Sequence, residues 1–296
     1  MIRLMERPPL YPAAVTPFDA KGRIDRAGLA KLLAWFDGAG CRGVVLAGTN
    51  GEGPSLSAVE KRDLVVAAKT LAGDMELVLG ISTPSTDEAV WLCKQAHNAG
   101  GSAVLLMPPG YFREAADAGI LEWFRFVLDR TPVPVIVYNF PKRTGVTLTP
   151  EMLHSLSDHV RMAGVKDSSG ESANLAPYRE AVRDRPLYVG DETLLLDALA
   201  AGWTGSISGA ANVVPVWLAQ VLLAEGELRE ARFSVLCPVL EQIRKSPQPA
   251  THKALLHAWG VLPMPDLRLP LLPSPSETVA SLESLISERL GTRGGM

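Results

Sequence analysis

The chain has 296 residues, 47% of them hydrophobic, enough to bury a full core and to fit one large α/β barrel or two ordinary domains. With 29 basic against 32 acidic residues the formal net charge is −3, which supplies neither a basic stripe for a nucleic-acid backbone nor a polybasic anchor for anionic lipid. Cys41, Cys93 and Cys237 stand far apart with no paired spacing, which disfavours a disulfide framework and a zinc knuckle and points to a reducing cytoplasm. No nucleic-acid or membrane partner is expected. The N-terminal stretch "MIRLMERPPLYPAAV" carries no apolar run long enough for a signal peptide, and no segment reaches the roughly 20 apolar residues of a membrane span.

In chain order, short apolar or β-branched runs recur at "PAAVTP", "GVVLAG", "ELVLGI", "AVLLM", "VPVIVY", "MAGVK", "LYVG" and "GSISG". Between them lie stretches with helical spacing, among them "RAGLAKLLAWFDGAG", "SAVEKRDLVVAAKTLAG", "TDEAVWLCKQAHNAG" and "AGILEWFRFVLDRT", the first three ending on Gly, where a left-handed cap is favoured. Strand–helix alternation implies right-handed β-α-β units and a parallel sheet, and eight such units without a composition break predict a closed (β/α)8 TIM barrel over residues 1–212. The rival is an open doubly wound sheet, weakened because "VTPFDAKGRID" stands where a Gly-x-Gly-x-x-Gly turn would follow the first strand. From residue 213 to 296 the pattern is helical, with "PVWLAQVLLAEGELREARFSVLCPVLEQIRK" and "PSETVASLESLISERL" interrupted by the Pro-rich "SPQPA" and "LPMPDLRLPLLPSPS". This predicts a C-terminal helical extension packed on the barrel.

Functional groups of such a barrel stand at the C-terminal ends of its strands. Lys166 follows apolar Met162, Ala163 and Val165 and is expected to point into the mouth, where burial disfavours the ammonium form and leaves the neutral amine that attacks a ketone. The alternative is a Lys reaching the rim or pairing with Asp167, and position alone leaves the two level. Tyr138 closes the neighbouring fifth strand, so its phenol can approach Lys166 and carry the protons that imine and aldol chemistry require. The stretch "GTNGEG" after the second strand offers backbone N–H groups of a Gly-flanked turn leading into a helix, with Thr49 and Asn50 as side-chain donors, for a carboxylate. The five histidines include no pair four residues apart, so no metal is expected. Asp191 and Glu192 read as helix N-terminal carboxylates rather than metal ligands.

The motifs "AVTPF", "GTNGE", "YNFPKRTG", "GVKDSSG", "GDE" and "GSISGAANV", with "DLRLPLLP" near the C-terminus, make the chain resemble the dihydrodipicolinate synthase and N-acetylneuraminate lyase family of class I aldolases over nearly its whole length. The resemblance implies Lys166 as the imine-forming residue, Tyr138 as proton shuttle, and Thr49 as the hydroxyl linking it to a second tyrosine, Tyr111, which in the synthases reaches a neighbouring subunit's site. It implies pyruvate as substrate, held at Gly48, Thr49 and Asn50 with the Ile207 carbonyl, and an aldehyde partner whose carboxylate meets Arg143. It also implies no cofactor beyond the covalent imine, and a homodimer or homotetramer. Asn50 departs from the synthase pattern, which has a second Thr there. The leading expectation is therefore 4-hydroxy-tetrahydrodipicolinate synthase, with a 2-keto-3-deoxy sugar acid or 4-hydroxy-2-oxoglutarate aldolase as alternative. A non-catalytic ketoacid-binding barrel is disfavoured by the Lys–Tyr pair. The stretches "GPSLSAVEK" and "PPGY" lack the polar and aromatic groups of lysine-responsive synthases, so little inhibition by lysine is expected.

Overall fold

The structure is a computed structural model and describes residues 7–291. The outer ends of the expected division, 1–6 and 292–296, lie outside those residues. Eight parallel strands alternate with helices: β1 (Leu10–Pro12), α1 (Arg26–Gly38), β2 (Gly43–Leu46), α2 (Ala58–Lys69), β3 (Glu76–Ile81), α3 (Thr86–Asn98), β4 (Ala103–Leu106), α4 (Asp117–Arg130), β5 (Val135–Asn139), α5 (Pro141–Thr144), α6 (Pro150–Ser157), β6 (Met162–Asp167), α7 (Leu175–Val182), β7 (Leu187–Val189), α8 (Leu195–Ala200) and β8 (Gly205–Ser208). Neighbouring strands pair in order from β2 to β8; β8 pairs with β1, and a parallel bridge between Ala13 and Val45 joins β1 to β2. The sheet is thus a barrel, and the open doubly wound alternative falls.

Local signals explain the helix starts. Asp25, Ser85 and Thr149 accept from the first-turn N–H groups of α1, α3 and α6, and Ser57 with Glu60 forms a reciprocal capping box on α2. The first strand is the element the sequence misplaces. It spans Leu10–Pro12 instead of 12–17, because the apolar run reports burial and not ladder pairing. Beyond Ala14, whose N–H still donates to the Val45 carbonyl, the sheet partner is replaced by a side chain: Val15 N–H donates to Asn212 Oδ1 at 3.0 Å.

Side-chain alternation divides the barrel into two layers. Tyr11, Val45, Val78, Leu105, Ile136, Tyr138, Tyr188 and Ile207 fill the interior, while Leu46, Leu77, Val104, Val137, Val165 and Leu187 pack outward on the helices. In β6 the alternation breaks. Val135 pairs with Met162 but Ile136 pairs with Gly164, so one residue is bulged. Met162 faces outward and strict alternation would turn Lys166 outward too; the bulge reverses the phase, putting Val165 outside and Lys166 inside. Gly164 accommodates it with φ +157°, and a Cβ there would stand 2.5 Å from the Pro186 carbonyl.

The C-terminal stretch forms α9 (Pro215–Leu223), α10 (Gly226–Lys245), α11 (Ala250–Ala258) and α12 (Ser276–Leu290). The first quoted helical stretch is two helices, since Ala224 and Glu225 are extended between them. Leu218, Leu236, Leu255 and Ile286 join the hydrophobic layer outside the barrel. Trp217 and Trp259 donate to the Leu290 carbonyl and the Glu283 carboxylate, tying α12 to α9 and α11. Among the described residues, no helix is long and apolar enough to cross a membrane.

Candidate active site

The centre of the site is one cross-strand pair. Tyr138 on β5 and Lys166 on β6 are register partners, 3% and 5% exposed, and Lys166 Nζ lies 4.3 Å from the Tyr138 ring centroid. Behind them, on the outer face, the next register pair locks the strands together. Asn139 Nδ2 donates to Asp167 Oδ1 at 2.8 Å and to the Tyr178 hydroxyl at 3.0 Å, and Asn139 Oδ1 accepts from Leu148 N–H. Ser169 donates through N–H and Oγ to the same Asp167 carboxylate, and Tyr178 donates to the Leu148 carbonyl. Burial and the nearby Asp167 charge push the Tyr178 phenol pKa up, so it remains a donor. Every member of this buried network has a partner, which rigidifies the strand ends. Asp167 is fully engaged here and makes no ion pair with Lys166, so the pairing alternative for Lys166 is ruled out.

The turn after β2 is strained and packed. Ala47 and Glu52 adopt left-handed φ of 52° and 55°, and Gly51 has no room for a side chain, since a Cβ would meet the Ala14 carbonyl at 2.8 Å. Among the described residues the N–H groups of Thr49 and Asn50 find no acceptor, and neither side chain makes a hydrogen bond. Both residues line the cavity. One expectation needs correcting: the turn does not open a long helix. It runs into a single 3-10 turn (Gly53–Ser55), and α2 begins at Ala58 behind its own cap, so the anion site consists of loop N–H groups.

The mouth holds two connected lobes that share Gly48, Thr49, Tyr138 and Arg143. The first, of about 450 Å³, is walled by Asn50, Lys166, Ser168, Gly190, Glu192 and Arg244. Glycine hollows it: a Cβ at Gly190 would meet Ser168 Oγ and stand 2.8 Å from Lys166 Cε, and one at Gly209 would stand 2.5 Å from Asn50 Nδ2. The second lobe, of about 430 Å³, is lined by Pro84, Tyr111, Pro270 and Leu271.

Thr49, Asn50, Gly48, Tyr138, Arg143 and Lys166 therefore converge on one cavity. Arg143, on α5, is exposed and enters no ion pair among the described residues. Two expected members stand apart. Tyr111 lies in a short turn after β4, 80% exposed at the edge of the second lobe and edge-on to Phe112, and no hydrogen bond links it to Thr49 or Tyr138 within the chain. Ile207 is fully buried in the interior cluster and is not among the residues lining either lobe. Asp191 caps a short turn through Thr193 and pairs with Arg244 at 2.7 Å, whereas Glu192 turns inward to accept from Ser208 Oγ and Ala210 N–H.

Sequence reasoning passed over the support beneath the turn. The Glu52 carboxylate, buried at its left-handed position, accepts from Lys253 Nζ at 2.5 Å and from Arg268 N–H at 2.8 Å. The fully buried Lys253 also donates to the Asp266 carbonyl and lies over the Phe18 ring, while Arg268 reaches Glu60, Ser55 and Gly22. The signals were a Lys in the apolar helix "THKALL" and an Arg in "DLRLP".

The model of the dihydrodipicolinate synthetase family matches residues 9–289, nearly the whole of the chain. The chain belongs to this family. Curated relatives carry the same stamp: the 4-hydroxy-tetrahydrodipicolinate synthase of Methanothrix thermoacetophila is 32% identical, over 97% of this chain and 98% of that protein. That of Bacillus velezensis is 33% identical, over 93% and 97%. The crystal structure of the chloride-inhibited dihydrodipicolinate synthase of Acinetobacter baumannii, complexed with pyruvate, superposes with a TM-score of 0.89 at 26% identity, covering 96% of this chain and 99% of that one. Fold, family and enzyme class, a Schiff-base aldolase-type lyase, thus agree with the sequence-based expectation.

Proposed function

We propose that the chain is a 4-hydroxy-tetrahydrodipicolinate synthase that works through an imine between Lys166 and pyruvate. The observation that carries this reading is the buried Lys166–Tyr138 pair opposite the unpaired N–H groups of Thr49 and Asn50. The pyruvate carboxylate sits on those donors, and the Lys166 amine attacks C2. The carbinolamine loses water as Tyr138 delivers a proton to the departing oxygen, leaving an iminium ion. Loss of a methyl proton gives the enamine, whose carbon forms the new bond to the aldehyde carbon. The resulting alkoxide takes a proton, and water hydrolyses the iminium to return the amine. Arg143 receives the carboxylate of aspartate semialdehyde, which its planar fork suits. No cofactor takes part in this cycle.

A second reading, cleavage of a 2-keto-3-deoxy sugar acid or 4-hydroxy-2-oxoglutarate by the reverse steps, is favoured by Asn50, whose amide stands over Gly209 where the synthases have a second Thr hydroxyl. Tyr111, exposed at the lobe edge, supports a homodimer or homotetramer in which the tyrosine completes a neighbour's relay. On this reading the chain divides at residue 212 into a barrel and a helical region packed on it, in a cytoplasmic enzyme with little inhibition by lysine in a steady-state assay.

The test is borohydride trapping with pyruvate followed by peptide mapping. A pyruvate adduct on Lys166, lost in Lys166→Ala, is the expected result; an unmodified Lys166 sinks the mechanism. Pyruvate consumption with aspartate semialdehyde, glyoxylate and glyceraldehyde then separates the two readings, activity with the first alone favouring the synthase.

A further inference from the structure

The lobe that holds Lys166 has a charged lip that the pyruvate steps leave unused. Lys142 on α5 and Arg244 on α10 both line it. They converge: Lys142 Nζ and Arg244 Nη2 stand 3.5 and 3.7 Å from the point where a Cβ on Gly170 would sit, a point that glycine leaves open. A single carboxylate lies beside them. Asp191 Oδ2 is 2.9 Å from the same point and 2.7 Å from Arg244, and the other Asp191 oxygen is occupied by Thr193. Among the described residues Lys142 enters no ion pair. Two cations around one carboxylate leave a positive charge unmatched at the lip. Within the lobe, the buried Glu192 carboxylate repels an anion, whereas the surplus positive charge of the lip attracts one. Arg143 stands elsewhere, at the junction of the two lobes.

We propose that Lys142 and Arg244 form a second anion locus in the lobe, beside that of Arg143, which selects an aldehyde whose far end carries a carboxylate or a phosphate and is too distant for Arg143 alone. The inference rests on the imine reading, because the enamine on Lys166 fixes where the aldehyde carbon stands. Arg244 is the oriented half of the locus, its guanidinium held by buried Asp191, and Lys142 is the adaptable half.

The test compares the wild type with Lys142→Met and with an Arg244→Met/Asp191→Asn pair that leaves no buried carboxylate unpaired. Condensation of pyruvate is followed with glyceraldehyde, glyceraldehyde 3-phosphate and succinic semialdehyde, and binding of inorganic phosphate and of glutarate to the pyruvate-loaded enzyme is measured by calorimetry. Removing a charge-assisted contact should raise KM for the anionic aldehydes, or Kd for the anions, by about tenfold or more in each variant, leaving glyceraldehyde within about twofold. The phosphate and carboxylate arms show which anion is taken. Equal effects on neutral and anionic aldehydes, or anion binding that neither variant weakens, would overturn the locus. Retained trapping of pyruvate on Lys166 in that case shows that this inference alone has failed; absent trapping shows that the imine reading fails first.

Discussion

Tyr138 contributes to the site in two separable ways. Its ring stacks on Phe140 at 5.8 Å and lies beside Lys166 Nζ, while its hydroxyl makes no hydrogen bond among the described residues and the residue lines the cavity. Tyr138→Phe keeps the ring and removes only the proton carrier, so kcat should fall by about 10²- to 10⁴-fold with Tm unchanged, as stopped-flow kinetics and calorimetry will read. His252 presents a different single-residue effect. It is fully buried on α11, neither ring nitrogen has a hydrogen-bond partner among the described residues, and burial holds its pKa down to about 4. The unfolded chain then binds the extra proton between about pH 6.5 and 4, so this contribution to stability is complete above the first value and is lost as pH falls toward the second, by on the order of 3 kcal/mol. His252→Leu should flatten that acid limb in denaturant titrations. An unchanged acid limb would show that another group governs it.

At the scale of the element, β6 decides whether there is an active site. Its bulge turns Lys166 inward, and the empty inner position at Gly190 on the neighbouring strand end leaves space for the lysine stem. Gly190→Ala should push against Lys166 Cε and Ser168 Oγ; overpacking of this kind costs about 1–3 kcal/mol. A trapping rate with pyruvate at least about tenfold slower is expected in a folded barrel, because displacing a reacting group by even an ångström has that effect. The strand–helix alternation was legible because each unit writes its period into local sequence. β1 was not, since the "AAV" segment is apolar through contact with the helix layer and finds its partner in the Asn212 side chain, nearly 200 residues away. The bulge has a local trace in Gly164; the inward direction expected of Lys166 comes from its place at a strand end, and the bulge is what realises it.

Across the whole molecule, the turn after β2 is supported from the C-terminal region, where Lys253 on α11 and Arg268 in the loop beyond it hold Glu52. Burial pushes the Lys253 pKa down while Glu52 pulls it back up. Glu52→Gln strands a buried ammonium and should destabilise the protein by about 3–5 kcal/mol in chemical denaturation, whereas Glu52→Gln with Lys253→Met should recover much of that loss, as a buried pair exchanged for apolar packing does. Equal losses in the single and double variants would mean that the pair has no coupled role. The sequence by itself determined the eight-unit barrel, the helical C-terminal region, and Lys166, Tyr138, Thr49, Asn50 and Arg143 as groups at strand ends, because periodicity and strand-end chemistry are local properties. Only the tertiary structure decided that Asn139 and Asp167 lock β5 to β6, that Glu52 is anchored from residues 253 and 268, and that Arg244 meets Lys142 over Gly170. Those contacts join residues tens to hundreds of positions apart, and chain closure, not local pattern, sets which of them meet.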